Sequence, residues 1–185
     1  MAAIADKPVR RIITVDDSDG KSLALDDSFV DDVLVDPARP GFSSARVWVT
    51  DSTPAIQRTP EYVARMPHTL EPPPAGSVFR IFTLPPDAVW EPTISKEAVQ
   101  SYFEAAGSPR ASRFGPGAPH PYMQQTRTLD LCVVLEGEVT LILDTEEVAL
   151  SAGDTVVQRG TRHAWSNRSG KRSVIAISSH DAMPI

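Results

Sequence analysis

The chain has almost no cysteine. Cys132 is the single one, which excludes an intramolecular disulfide and a cysteine-rich zinc site. It has no run of about 18 apolar residues, so no membrane-spanning helix is expected. The opening MAAIADKPVRR carries no long apolar stretch, so no signal peptide is expected, and with the lone thiol this points to a cytoplasmic protein. Basic charge is short: 18 Lys and Arg stand against 24 Asp and Glu, a net charge of −6. No basic block rises above a local pair, so a polyanion such as nucleic acid would be repelled. GxxxxGK[ST] and GxGxxG are absent, which removes the usual phosphate cradles. The acidic runs DDSDG and DDSFVDD lack the glycine and terminal glutamate of a calcium loop and read as solvated acidic loops.

Proline is plentiful, with 17 residues gathered in EPPPAG, LPPD and the stretch 109–121, where it marks fixed turns. The C-terminal third is the most regular part. LCVVLEG, EVTLILD, EVALSAGD, TVVQRGT, RHAWSNRSG and KRSVIAISSH are short runs rich in Val, Ile and Leu. Turn signals at Glu136-Gly137, Asp144-Thr145, Ala152-Gly153, Arg159-Gly160 and Ser169-Gly170 separate them at the spacing of an antiparallel sandwich or barrel. Earlier, RRIITVDD, DVLVD, SARVWVTDS and SVFRIFTLP read as strands. TPEYVARM predicts a short helix with Thr59 as N-cap and Pro60 in the first turn. SKEAVQSYFEAAG predicts a longer one between Ser95 as N-cap and Gly107 as stop, with Val99, Tyr102, Phe103 and Ala106 on its apolar face. The expectation is an all-β protein with one or two short helices. It is one structural domain, in which residues 1–75 form a β extension packed on a barrel of residues 76–185.

HPYMQQTRTLD, residues 120–130, places polar side chains at every second position: Gln124, Thr126, Thr128 and Asp130. On a strand all four share one face. The spacing Gln124-x-Thr126-x3-Asp130-x6-Gly137 is followed by Gly153-x6-Gly160-x2-His163-x3-Asn167.

This pair of patterns resembles the two motifs of the cupin superfamily of jelly-roll barrels, G-x5-H-x-H-x3-E-x6-G and G-x5-P-x-G-x2-H-x3-N. The match covers roughly residues 120–178, with one residue fewer between Gly153 and Gly160. WVTDSTPA, PPPAGSVFRIFTLPPD and VVQRGTRHAW are similar to a subgroup of single-domain cupins whose first motif tends to read M-H-R-T-D-T-x-D-Y. Here that stretch is Met123-Gln-Gln-Thr-Arg-Thr-Leu-Asp130-Leu. The resemblance implies a jelly-roll barrel, an interior site and a homodimer. It maps the usual metal ligands onto Gln124, Thr126, Asp130 and His163, of which only His163 and Asp130 are ordinary ligands for a transition metal. The expectation is no cofactor, with a divalent metal weakly bound or absent.

The candidate catalytic residues are His163 and Asp130. Asp130 would orient the imidazole and raise its basicity, and His163 would move a proton near neutral pH. Gln124, Thr126, Arg80, Trp165 and His120 are the candidate substrate-binding residues. Four have a structural alternative: a hydrogen bond across the barrel mouth for His163, an ion pair or turn bond with Arg127 or another base for Asp130, core packing for Trp165, a salt bridge between sheets or subunits for Arg80. Cys132 reads as a small buried apolar residue. The expected activity is acid–base chemistry on a small molecule, as a dehydratase, isomerase or cyclase of secondary metabolism. The alternatives are a dioxygenase or decarboxylase using Fe, Zn or Mn, and a non-catalytic binder.

Overall fold

A computed structural model describes residues 8–183 of the chain. Residues 1–7, part of the segment expected to carry no leader, lie outside the described residues.

The fold is all-β. A hairpin of β1 (Arg10–Asp16) and β2 (Ser22–Phe29) precedes two sheets that share one core. The larger sheet orders β3 (Val33–Val35), β4 (Ser43–Thr50), β5 (Ser77–Leu84), β11 (Ser173–Asp181), β6 (Thr128–Glu136) and β9 (Thr155–Gln158). The smaller orders β10 (Ala164–Ser166), β7 (Glu138–Ile142) and β8 (Glu147–Ser151). All pairings are antiparallel. This is the antiparallel two-sheet arrangement that the turn spacing predicts, in keeping with the jelly roll that the resemblance implies. Strands on both sides of residue 75 enter the larger sheet, since β4 pairs with β5.

Inward residues of both sheets meet in the core: Phe82 and Leu84 from β5, Cys132 and Val134 from β6, Ile175 and Ile177 from β11, Val139 and Leu141 from β7, Trp165 from β10. One helix closes part of it. Helix α2 (Lys96–Ala105) starts at Ser95, whose hydroxyl accepts from the Ala98 amide at 3.1 Å, and stops before Gly107 at φ +61°. It buries Val99, Tyr102 and Phe103. Helix α1 (Pro60–Ala64) has Thr59 as its cap, as expected.

The β1–β2 hairpin corrects the reading of the acidic runs. DDSFVDD is not all loop: Asp26 and Asp27 sit in β2, and Asp27 forms a two-bonded ion pair with Arg10 on β1 at 2.6 Å. DDSDG is a turn in which Asp17 Oδ1 accepts from the Asp19 and Lys21 amides.

Strand β6 alternates in the reverse of the usual sense. Thr128, Asp130, Cys132 and Val134 point inward, whereas Leu129, Leu131 and Leu135 are exposed. The polar stripe of the sequence therefore faces the interior.

Candidate functional site

Two rows of inward residues cross the larger sheet. Arg80, Ile177 and Cys132 lie side by side on β5, β11 and β6, and Ser179, Asp130 and Gln158 occupy the next row on β11, β6 and β9. The regular strand begins only at Thr128. Gln124 precedes it as a bridge residue, exchanging two backbone hydrogen bonds with His163 at 2.8 and 3.0 Å. That exchange sets the two side chains next to each other. Gln124, Thr126, Asp130, His163, Arg80 and Trp165 line one interior space, so the structure brings together six of the seven residues expected there.

His120 is the seventh, and it lies elsewhere. Its Nδ1 accepts from the Tyr122 amide at 3.1 Å, its Nε2 is 3.8 Å from Asp87, and its ring packs edge-on against Trp90. His120 therefore does not line the interior space beside His163.

The hydrogen bonds fix the state of His163. Nδ1 is 2.9 Å from the Thr161 carbonyl, which can only accept, so Nδ1 carries the proton. Nε2 is then an acceptor, and the Gln124 amide donates to it at 3.1 Å. Burial holds the imidazole pKa below its ordinary value, opposed by the Thr161 bond and by the Asp130 charge. His163 is therefore neutral at neutral pH. The orienting role expected of Asp130 belongs to Thr161: Asp130 acts on the imidazole through its charge, and its buried Oδ1 has no partner among the described residues. The expected alternative for Asp130, a pair with Arg127, is not formed among the described residues: Arg127 is exposed whereas Asp130 is buried.

Arg80 is 2% exposed, and burial lowers its pKa to about 10, so it stays charged at neutral pH. One of its terminal nitrogens donates to the Thr69 carbonyl at 3.0 Å, and its buried Nε has no partner among the described residues. Trp165 serves the core and the site together, stacked edge-on against His163 at 5.7 Å. Burial pushes the Cys132 thiol up to about 12, which makes it the inert apolar residue expected.

The motif residues beyond the stripe are structural. Asn167, fully buried, donates to the carbonyls of Leu84 and Lys171 and accepts from the amide and hydroxyl of Ser169. Gly137, at φ +76°, faces Ser173 so closely that a β-carbon would stand 2.7 Å from its Oγ.

Three spaces adjoin. The room around His163 and Asp130 is about 10 Å³ and that beside it about 20 Å³, measured for the centre of a water molecule, so each holds roughly one water. The second is walled by aromatic side chains that sandwich Arg39, whose guanidinium lies 3.7 Å from Phe42 and 3.6 Å from Tyr122 while it pairs with Asp36. Thr126 links the first to an open cleft of about 530 Å³ at the end of the barrel. Sequence reasoning missed Arg39 and this cleft. Both are built from loops, where no periodicity marks the inward side.

The residues do not fit a metal of the kind the fold implies. The Nε2 lone pair that an imidazole gives to a metal is engaged by an amide, and Gln124 and Thr126 are poor donors for a transition ion. Among the described residues no three His, Cys, Asp or Glu side chains are grouped as a metal site.

Fold and site define a jelly-roll protein with a polar interior centre. Residues 112–179, a little over a third of the chain, match the family described as the Cupin domain. It is 52% identical over 48 residues to phomopsin biosynthesis cluster protein D of Diaporthe leptostromiformis, which covers 25% of each chain. It is 39% identical over 74 residues to oryzines biosynthesis cluster protein J of Aspergillus oryzae, covering 39% of this chain and 41% of that one. It is 41% identical over 58 residues to the cupin-domain-containing oxidoreductase fogC of Aspergillus ruber, covering 31% and 28%. The matched stretches thus span between a quarter and about two fifths of the length of these relatives.

Proposed function

We propose that the chain is an enzyme of secondary metabolism that performs acid–base chemistry on a small molecule inside the cupin barrel, without a metal, and that it works as a homodimer. The observation that carries this reading is the chain Thr161–His163–Gln124. It holds a neutral imidazole in one tautomer with Nε2 as the acceptor, one threonine away from a cleft of about 530 Å³. That volume suits a small organic ligand. A substrate oxygen entering beside Thr126 takes the Gln124 amide hydrogen, which frees Nε2 to remove a carbon-bound or hydroxyl proton. Asp130 stabilises the imidazolium so formed. The buried Arg80 charge favours an enolate, and Trp165 bounds the space with an apolar wall. This set supports proton-transfer chemistry such as dehydration, tautomerisation, ring closure and double-bond shifts. The names of the relatives from the phomopsin and oryzine clusters support the metabolic setting.

The test is deuterium exchange. Folded protein is incubated in heavy water with polyketides bearing β-keto and enone groups, and mass spectrometry follows deuterium incorporation or loss of water. Wild type is expected to label or dehydrate a substrate, and His163→Ala and Asp130→Asn are expected to fold and lose most of that activity. Because burial lowers the His163 pKa, the base stays neutral further into acid. The acid limb of kcat/KM should therefore fall below the ordinary imidazole value of about 6.5. Turnover that survives His163→Ala rejects the assignment.

A second reading is an oxidoreductase, favoured by the name of the Aspergillus ruber relative. It predicts oxygen consumption that depends on added metal, which an oxygen electrode reads directly.

A further inference from the structure

The protein is acidic overall, yet one cleft is basic. The chain has 14 arginines, all of them among the described residues. Eight form ion pairs with carboxylates. Of the six that form none among the described residues, Arg110, Arg113, Arg127 and Arg159 line the same open cleft, and Arg80 lines the interior space that the cleft joins at Thr126. Among the described residues one carboxylate, Glu71, stands in the cleft wall; it forms no ion pair there, and its Oε1 accepts from the Arg127 backbone amide at 3.0 Å.

The cleft is also ordered before any ligand arrives. Gln125 donates to the Gly160 carbonyl at 3.2 Å and accepts from Arg113 Nε at 3.2 Å. One terminal nitrogen of Arg113 donates to the carbonyls of Arg110 and Ser112 at 2.6 and 2.9 Å. The guanidinium is therefore held in one orientation, with its other terminal nitrogen engaged by no protein group among the described residues. Like charges gathered in one cleft repel each other and focus a positive potential there, which favours an anionic partner. Guanidinium forks bind carboxylate and phosphoryl oxygens with two parallel bonds. Ala111, Ala182 and Met183 supply an apolar part of the same wall.

We infer that this cleft is the recognition site for the anionic end of a small organic acid, a carboxylate or phosphoryl group held by Arg113, Arg127 and Arg159 with Arg110 at its rim. The inference deepens the acid–base reading, since it names the substrate class that the cleft would present to His163 through Thr126. The anion docks on the arginines, its carbon skeleton lies against Ala111 and Met183, and the reacting carbon reaches inward. A nucleic acid strand is too large for a space of about 530 Å³ and would meet the net charge of −6 outside it.

The experiment titrates wild-type protein at low ionic strength with citrate and, separately, with inorganic phosphate, by calorimetry. Saturable binding of one equivalent is expected, weakened by added sodium chloride as charges are screened. The double variant Arg127→Gln/Arg159→Gln, changed only at exposed side chains, should bind about tenfold more weakly. Arg168→Gln, at an exposed arginine paired with Glu147 outside the cleft, should bind as wild type. Tighter citrate assigns a carboxylate and tighter phosphate a phosphoryl group; either result supports the site. No saturable binding of either anion, or binding untouched by the double variant, overturns it. His163→Ala separates the two readings: it should keep citrate binding while losing deuterium incorporation. Retained exchange with intact, arginine-dependent citrate binding would reject the base and leave the anion site standing.

Discussion

The bond from the Gln124 amide to His163 Nε2 turns a ligand position into a polar clamp. A histidine at 124 would place a second imidazole against the first and free both Nε2 lone pairs for a metal. Gln124→His is therefore expected to raise affinity for Zn²⁺ or Ni²⁺ at least about tenfold, measured by calorimetry on tag-free protein. No gain would mean that the two side chains do not converge in solution. The inward stripe and its partner histidine were legible in the sequence, because the motif spacing fixes positions on strands and their turns. The bonding between them was not. Gln124 lies outside the regular strand, and it meets His163 through a lone backbone bridge that leaves no periodic trace. Thr161, which fixes the tautomer through its carbonyl, is invisible for a simpler reason: every residue carries that group.

Among the elements, the turn between β6 and β7 shows how a motif glycine acts. Gly137 adopts φ +76°, and an added β-carbon would meet the Ser173 hydroxyl at 2.7 Å and the Arg172 carbonyl at 2.9 Å. Backbone strain and a steric clash then act together. Gly137→Ala should lower the free energy of unfolding by about 2 kcal/mol or more, read from the midpoint of urea denaturation at unchanged slope. A shift of only a few tenths of a kcal/mol would show that the turn relaxes freely. The strands bordering this turn were readable because burial on one face imposes period two. Strand β2 was not. Its alternating Leu23, Leu25 and Phe29 stay exposed and the Asp26-Asp27 pair interrupts the run, so its aspartates looked like loop until Arg10 and Arg11 paired with them.

For the whole molecule, the outer face of the larger sheet is the feature a monomer explains least. Phe79 on β5, Leu129, Leu131 and Leu135 on β6 and Val157 on β9 are all exposed, Val157 by 62%. Strand β6 thus gives water its leucines and the interior its aspartate. Large contiguous apolar faces are uncommon on lone soluble proteins and mark surfaces that another chain covers. A twofold axis lets one such face cover its own copy, because each patch meets the same patch. Burying a half-exposed leucine contributes about 1 kcal/mol, so several on each chain outweigh the cost of association only if the faces meet broadly. Sedimentation velocity at micromolar protein should therefore give twice the chain mass. Leu131→Glu, which sets a charge in the middle of the face while its side chain still points outward, should give the monomer with the strand content unchanged by circular dichroism. A monomeric mass for the wild type, or a dimer indifferent to Leu131→Glu, would place the partner on another face and leave the outward leucines without a function.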